Sequence, residues 1–294
     1  MHGLDSPASH STNCTRILAL DRGKFNSVLC VYDLATAEHR FTSLATTPAA
    51  VHDLLVEHQT ADPAGTLLVI ETCDVAGWVY DIATTLGIAV AVANPSHEAW
   101  RWTRVKRKTD KDDALKLARM AAINELKPVH MPSEKHREFR SLVKYRKTLD
   151  ARITKSKCTI RAWFVNHGIS IDRGEKAWHT GRERINSFRK PLEQCGPNEL
   201  WKGELDLELT QLDSLTKHMD VVVKKLEAIG RNDPRIVRLQ TVPGMGPRTA
   251  EILVACIDDP HRFENGRQVS AYFGLVPRQF QSGETDRNGR ITQC

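Results

Sequence analysis

Two stretches, "TLLVI" at 66–70 and "IAVAVAN" at 88–94, are apolar at nearly every position. A strand with one wet face alternates apolar and polar residues, so unbroken apolar runs call for strands buried on both faces. "GWVYDIATTLG" between them reads as a helix. Upstream, "RILAL" (16–20), "SVLCVYD" (27–33) and "HRFTS" (39–43) are short and separated by turn-sized gaps, the pattern of an antiparallel meander. "TTPAAVHDLLVEH" follows as a helix, with Thr47 as its N-cap and Pro48 at its first helical position. Further on, Ala114, Leu117, Ala118 and Ala121 repeat at helical spacing.

Three strands, helix, strand, helix, strand, helix is the order of an RNase H-like α/β domain. It is expected over residues 16–130, behind a polar tail of residues 1–15. Residues 131–230 read as basic helices and a coiled coil. Leu142, Leu149, Ile153 and Ile160 share one face of the first helix, and Leu205, Leu212, Leu215, Met219, Val222, Leu226 and Ile229 form a heptad seam that requires a partner helix, in this chain or another. "SIDRGEKAWHTGRERINSFRKPLEQCGPNEL" between them is poorly patterned and reads as a linker or hairpin tip. Residues 231–294 make a mostly α C-terminal domain.

A chain of 294 residues is long enough for two domains, and its net charge of +6 argues weakly for a polyanionic partner. The seven cysteines form no CxxC pair, which fits free thiols in a reducing compartment. The first fifteen residues lack an apolar signal core and no apolar run reaches bilayer-spanning length, so a cytoplasmic protein with no membrane partner is expected.

The stretch "KTDKDDA" (108–114) sets three carboxylates in four positions. Taken alone it is most economically a helix start, with Thr109 or Asp110 as the cap and early acids favouring the dipole. Asp110 and Asp113 nevertheless share a helix face while Asp112 points away, and capping does not exclude ligation. Asp21 ends the first strand and Glu71 the "TLLVI" strand. In an RNase H-like fold these ends and the last helix meet at one sheet edge, giving Asp21, Glu71, Asp110 and Asp113 as a four-carboxylate nest. Such a nest repels itself unless divalent cations neutralise it, and Mg²⁺ takes carboxylate oxygens while leaving sites for phosphate. The adjoining run with Arg101, Arg104, Lys106, Arg107 and Lys108, interleaved with Trp100 and Trp102, suits a nucleic-acid backbone beside those ions. "VPGMGPRTAEIL" reads either as a helix-hairpin-helix element, in which Gly244 and Gly246 let backbone amides approach a phosphate, or as a plain helix-helix turn. On pattern alone, "QSGETDRNGR" is a polar surface loop.

"ALDRGK", "VIET", "VANPSH" and "KTDKDDALKLARM" resemble the Asp-Glu-Asp-Asp domain of the insertion-sequence one-ten family of transposases, relatives of the Piv DNA invertases. The similarity continues through "VPGMGPRTAEILVA", "RFENGRQVSAYFGLVPRQFQSGE" and "NGRIT", covering most of the chain from about residue 16. The resemblance implies an RNase H/RuvC-like domain, a coiled coil, and a C-terminal domain with a catalytic serine, for which Ser282 is the matching position; a second serine common in the family is Gln281 here. Arg278, Arg287 and Arg290 would neutralise a phosphate there. It further implies DNA recombination with composite sites shared in a homo-oligomer (dimer or tetramer, through the coiled coil) and guided by a structured RNA. The chain stops at Cys294 where relatives continue into further basic helices, so the C-terminal domain is expected to be incomplete. Two other functions fit the same residues: a metal-dependent junction nuclease in which Ser282 is incidental, and a catalytically dead nucleic-acid-binding remnant.

Overall fold

The computed structural model of the chain describes residues 14–61, 65–94, 109–126, 128–282 and 285–291. Its contacts divide the chain into two units, Met1–Glu134 with Asp259–Cys294, and Lys135–Asp258.

In the first unit, β1 (Arg16–Asp21), β2 (Asn26–Asp33) and β3 (His39–Ala45) form the antiparallel meander. Helix α1 (Pro48–Ala61) follows, its start fixed by Thr47, whose hydroxyl accepts the Ala50 N–H at 3.3 Å. Then come β4 (Thr66–Glu71), α2 (Ala76–Thr85), β5 (Ala89–Ala93) and α3 (Asp110–Ala122). The sheet order is β3-β2-β1-β4-β5, with β1, β4 and β5 mutually parallel. This mixed sheet followed by helices is consistent with the nuclease-like fold expected from the order of elements.

Strand alternation sorts the core into two layers. Ile17, Ala19, Val28, Cys30, Leu67, Val69 and Ala91 meet Ala114, Leu117, Ala118 and Ala121 of α3 on one face. On the other, Leu18, Leu20, Leu29, Val31, Leu68 and Ile70 meet Val51 and Leu55 of α1 and Val79 and Ala83 of α2. Helices cover both faces of β1 and β4, which explains why the interiors of these strands are apolar without alternation.

The second unit is built on α4 (Glu134–Asn166), which leads through α5 (Arg182–Asn186) to α6 (Leu200–Arg231). Ile160 and Phe164, late in α4, pack with Leu205, Leu209 and Leu212, early in α6. Val143 and Leu149 pack with Leu215, Val222 and Leu226. The two helices are therefore antiparallel, and the heptad seam of α6 finds its partner in the same chain. A homo-oligomer would need a different surface.

Residues 167–199 between these helices join the core formed by the end of α4 and the start of α6. Ala177 and Ile185 are buried beside Trp178, Phe188 and Trp201, and Phe164 meets Phe188 and Trp201 edge-on at 5.3 and 5.8 Å. The cations here are tied to acids: Arg182 to Asp213 at 2.7 Å, Arg189 to Asp206 at 2.6 Å, and Lys190 and Lys202 to Glu199 at 2.5 and 2.7 Å. Hydrogen bonds from Lys190 and Lys202 hold the Glu199 carboxyl at about 2, below its ordinary 4.5. A depressed acid stabilises fully above its ordinary value and loses that contribution as pH falls through the folded one, so the window lies between about 4.5 and about 2. Fluorescence of the neighbouring Trp201 through an acid titration should show a component in this window that is missing in Glu199→Gln. An identical titration of the two proteins would remove Glu199 as its source.

Helices α7 (Pro234–Gln240) and α8 (Pro247–Ile257) complete the unit. Arg146 of α4 donates to Glu251 of α8 as a buried ion pair, 7% and 2% exposed, and its Nη2 reaches the Arg248 carbonyl at 3.4 Å. Nearby, His136 places Nε2 at 3.1 Å from the Ala255 carbonyl and Nδ1 at 3.0 Å from the Asp258 carboxylate. Breaking a buried pair strands a charge, whereas replacing both partners with apolar groups does not. Arg146→Met is expected to cost about 3–5 kcal/mol, and Arg146→Met with Glu251→Leu to recover most of that. Urea melts of the single and double variants check this; equal losses would show that the packing, not the stranded charge, sets the cost.

Residues 259–291 add α9 (Gly266–Tyr272) and an antiparallel hairpin of β6 (Pro277–Ser282) and β7 (Thr285–Ile291). The tract read from pattern as a polar loop is thus strand-paired over most of its length. Backbone pairing between the two strands supplies its order.

Candidate functional site

Asp21 and Glu71 end neighbouring strands. The register sets Leu20 opposite Ile70, so the next residue on each strand is an acid. Ile17 and Ala19, like Leu67 and Val69, face α3, and at a period of two Asp21 and Glu71 take that same side. Both are half-buried. Just beyond, Arg22 bonds Asp74 at 2.9 Å, tying together the chain segments that leave the two strands.

The first turn of α3 divides its three acids by task. Thr109 is the N-cap: its hydroxyl accepts the Asp112 N–H at 3.3 Å, and the Asp112 carboxylate accepts from the Thr109 N–H at 3.1 Å and from its hydroxyl at 2.6 Å. These bonds complete a capping box and hold the Asp112 carboxyl below its ordinary value, the Thr109 hydroxyl being the main cause. Asp110 and Asp113 take no part in the box. Counting along the helix, Asp110 and Asp113 precede Ala114 and Leu117 on the stripe that packs against the sheet, and Asp112 lies on the opposite side. Asp113 is half-buried and Asp110 exposed.

The acids thus occur as a pair on adjacent strand ends and a pair within one helical turn. Among the described residues, no three His, Cys, Asp or Glu side chains are grouped so as to hold a metal ion. The single nest expected from the sequence is therefore not preformed there as a three-ligand cage. Oxygen donors in pairs still suit Mg²⁺, which is commonly held by one or two carboxylates and completed by water and substrate phosphate.

The basic run with Arg101, Arg104, Lys106, Arg107 and Lys108 lies outside the described residues. Gly244 and Gly246 fall in the turn between α7 and α8. Gly244 has φ +83°, a left-handed conformation that favours glycine, and Gly246 is the N-cap of α8 with Pro247 behind it. In the C-terminal hairpin Ser282 pairs with Thr285 and Phe280 with Arg287. For Arg278 and Ser282 the described geometry is that of the backbone alone; Arg287 and Arg290 are exposed.

A mixed sheet with acids on neighbouring strand ends, faced by a helix that opens with two more, is consistent with a nuclease-like domain of the Asp-Glu-Asp-Asp class. Residues 18–167 match the transposase profile of the IS110 DEDD type, and residues 237–294 match the profile described as Transposase IS116/IS110/IS902 family. The chain belongs to this IS110 family of transposases. It is 28% identical over 220 residues to the transposase for insertion sequence element IS1111A of Coxiella burnetii, covering 74% of this chain and 58% of that protein. It is 30% identical over 188 residues to a probable family 20 transposase of Pseudomonas aeruginosa, covering 63% and 54%. With the pilin gene-inverting protein of Moraxella lacunata it shares 25% identity over 197 residues, 66% of this chain and 51% of the relative. The chain spans about half the length of the curated relatives it matches. No helix among the described residues is long and apolar enough to cross a membrane.

Proposed function

We propose that the protein is a DNA recombinase that cuts and rejoins strands through a transient phosphoserine at Ser282, with divalent metal, Mg²⁺ in this reading, held by Asp21, Glu71, Asp110 and Asp113. The observation that carries the reading is the division of labour in α3: Asp112 is spent on the cap, while Asp110 and Asp113 sit on the stripe toward the sheet whose strands end in Asp21 and Glu71. A capped helix needs only the first of these acids. Asp21, Glu71, Asp110 and Asp113 would hold a divalent ion, which would supply positive charge to the phosphate under attack.

In the chemical step Ser282 Oγ attacks phosphorus, the new Oγ–P bond replaces a P–O bond to deoxyribose, and the leaving oxygen takes up a proton as the serine loses one. The reverse attack by a strand hydroxyl restores both groups, so joining needs no nucleotide energy source. Arg287 and Arg290, exposed on the same hairpin, would steady the crowded phosphate charge. The Moraxella relatives support rejoining as well as cutting, since inverting a gene requires both. The guide RNA and a composite site in a homo-oligomer are supported by family resemblance alone.

Incubation of the protein with DNA carrying element ends, with Mg²⁺ or a chelator, tests the metal part: products should require the ion, and undiminished processing in chelator would overturn it. Sequencing the RNA that co-purifies tests the guide, which a structured, single-locus RNA would support and a random cellular mixture would not.

A further inference from the structure

The lysines and arginines of the second unit fall into two populations. Arg146, Lys157, Arg182, Arg189, Lys190 and Lys202 are each paired with a carboxylate. On α4, by contrast, Lys144, Lys147, Arg152 and Lys155 are exposed, and none of the four makes an ion pair among the described residues. At 3.6 residues per turn they fall within about 140° of one another, opposite the stripe of Leu149, Ile153, Ser156 and Ile160 that faces the protein. Of the acids of α4, Glu138 and Asp150 fall outside that arc, and Glu134, in line with Arg152, lies ten residues before Lys144. A merely solvated helix face usually mixes signs, because pairs three and four residues apart stabilise the helix and like charges at that spacing cost it. This face forgoes such pairs while α6, alongside, carries acids and bases in nearly equal number.

We infer that the outer face of α4 from Lys144 to Lys155 is a nucleic-acid backbone track. The eleven steps from Lys144 to Lys155 rise about 16 Å, enough to follow about three or four successive phosphates with one cation each. Between the cations lie only Thr148 and Ala151, with Tyr145 bordering the arc, so the face reads charge and spacing rather than base sequence. Its place is to hold the duplex in register while chemistry proceeds elsewhere. The inference rests on the recombinase reading for its choice of polyanion, but it concerns binding alone.

The test is fluorescence anisotropy on a labelled duplex in chelator, where no cutting interferes, at a series of salt concentrations. Lys144→Gln, Lys147→Gln, Arg152→Gln and Lys155→Gln are combined in one variant, and Lys217→Gln, Lys224→Gln and Lys225→Gln on α6 in a control; circular dichroism confirms that both fold. The α4 variant should flatten the slope of log K against log salt by about three units and weaken binding equally for unrelated sequences. The control should keep the parent slope. Parent and α4 slopes within half a unit, equal flattening in the control, or equal loss of binding to anionic vesicles and to DNA would each overturn the track. Loss of DNA cutting in the carboxylate variants with normal salt slopes would bear on the recombinase reading and leave this one standing.

Discussion

Ser282→Ala is expected to abolish the covalent protein–DNA adduct and to lower strand joining by at least about a thousandfold, as removal of a nucleophile does in other covalent enzymes. The backbone pair between Ser282 and Thr285 needs no hydroxyl, so the hairpin should persist and DNA binding with it. The measurement is a reaction on end-labelled DNA, denatured and resolved for label on protein. An adduct that survives in Ser282→Ala would move the nucleophile to another residue. Metal-dependent cutting by the parent with no adduct at all would select a nuclease in which Ser282 is a bystander.

The opening turn of α3 yields the second large effect, because its acids should respond oppositely to substitution. Asp110→Asn and Asp113→Asn are expected to reduce DNA processing by at least about a hundredfold, more than loss of a supporting group around a metal usually costs, with melting temperature unchanged or raised. Thr109→Ala should behave in reverse. It removes the cap, costing about 1 kcal/mol and roughly 2–4 °C for a unit of this size, and leaves activity intact below the melt. Acid sensitivity separates them further. Because the Asp112 carboxyl is held below 3.8, its contribution is full above that value and is lost as pH falls through the lower folded one, and Thr109→Ala, which removes the hydroxyl but keeps the backbone N–H, should shrink that loss. Full activity in both asparagine variants would reduce all three acids to helix-starting residues.

The centre of the sheet was legible because β1 and β4 are buried on both faces, as the unbroken "TLLVI" advertises; "IAVAVAN" carries the same signal although its strand lies at the sheet edge and begins with an exposed Ala89. The turn of α3 was legible to within one residue: spacing separated Asp112 from its neighbours, but only the hydrogen bonds show that Thr109, not Asp110, is the cap. The 167–199 tip was not legible, since it brings Ala177, Trp178, Ile185 and Phe188 to the core from separate short segments with no common period. The Arg146–Glu251 pair left a signal that went unused. Arg146 falls on the stripe of Leu142, Leu149 and Ile153, and a lone charge on an apolar stripe calls for a buried partner. The hairpin at 277–291 left none, because "QSGETDRNGR" is polar almost throughout and offers no apolar alternation to read.

The antiparallel run of α4 and α6 has an electrical consequence. Each long helix carries an axial dipole, positive at its first turn, and two laid head to tail largely cancel along their length. What survives is crosswise, from the cation-rich flank of α4 to the nearly balanced flank of α6. A rod polarised across its width is turned by an approaching polyanion before the two touch, so one side is presented and the other kept away. The hairpin is in that sense a compass needle mounted sideways, and salt that shortens the reach of the field should slow correct encounters before it loosens the bound complex.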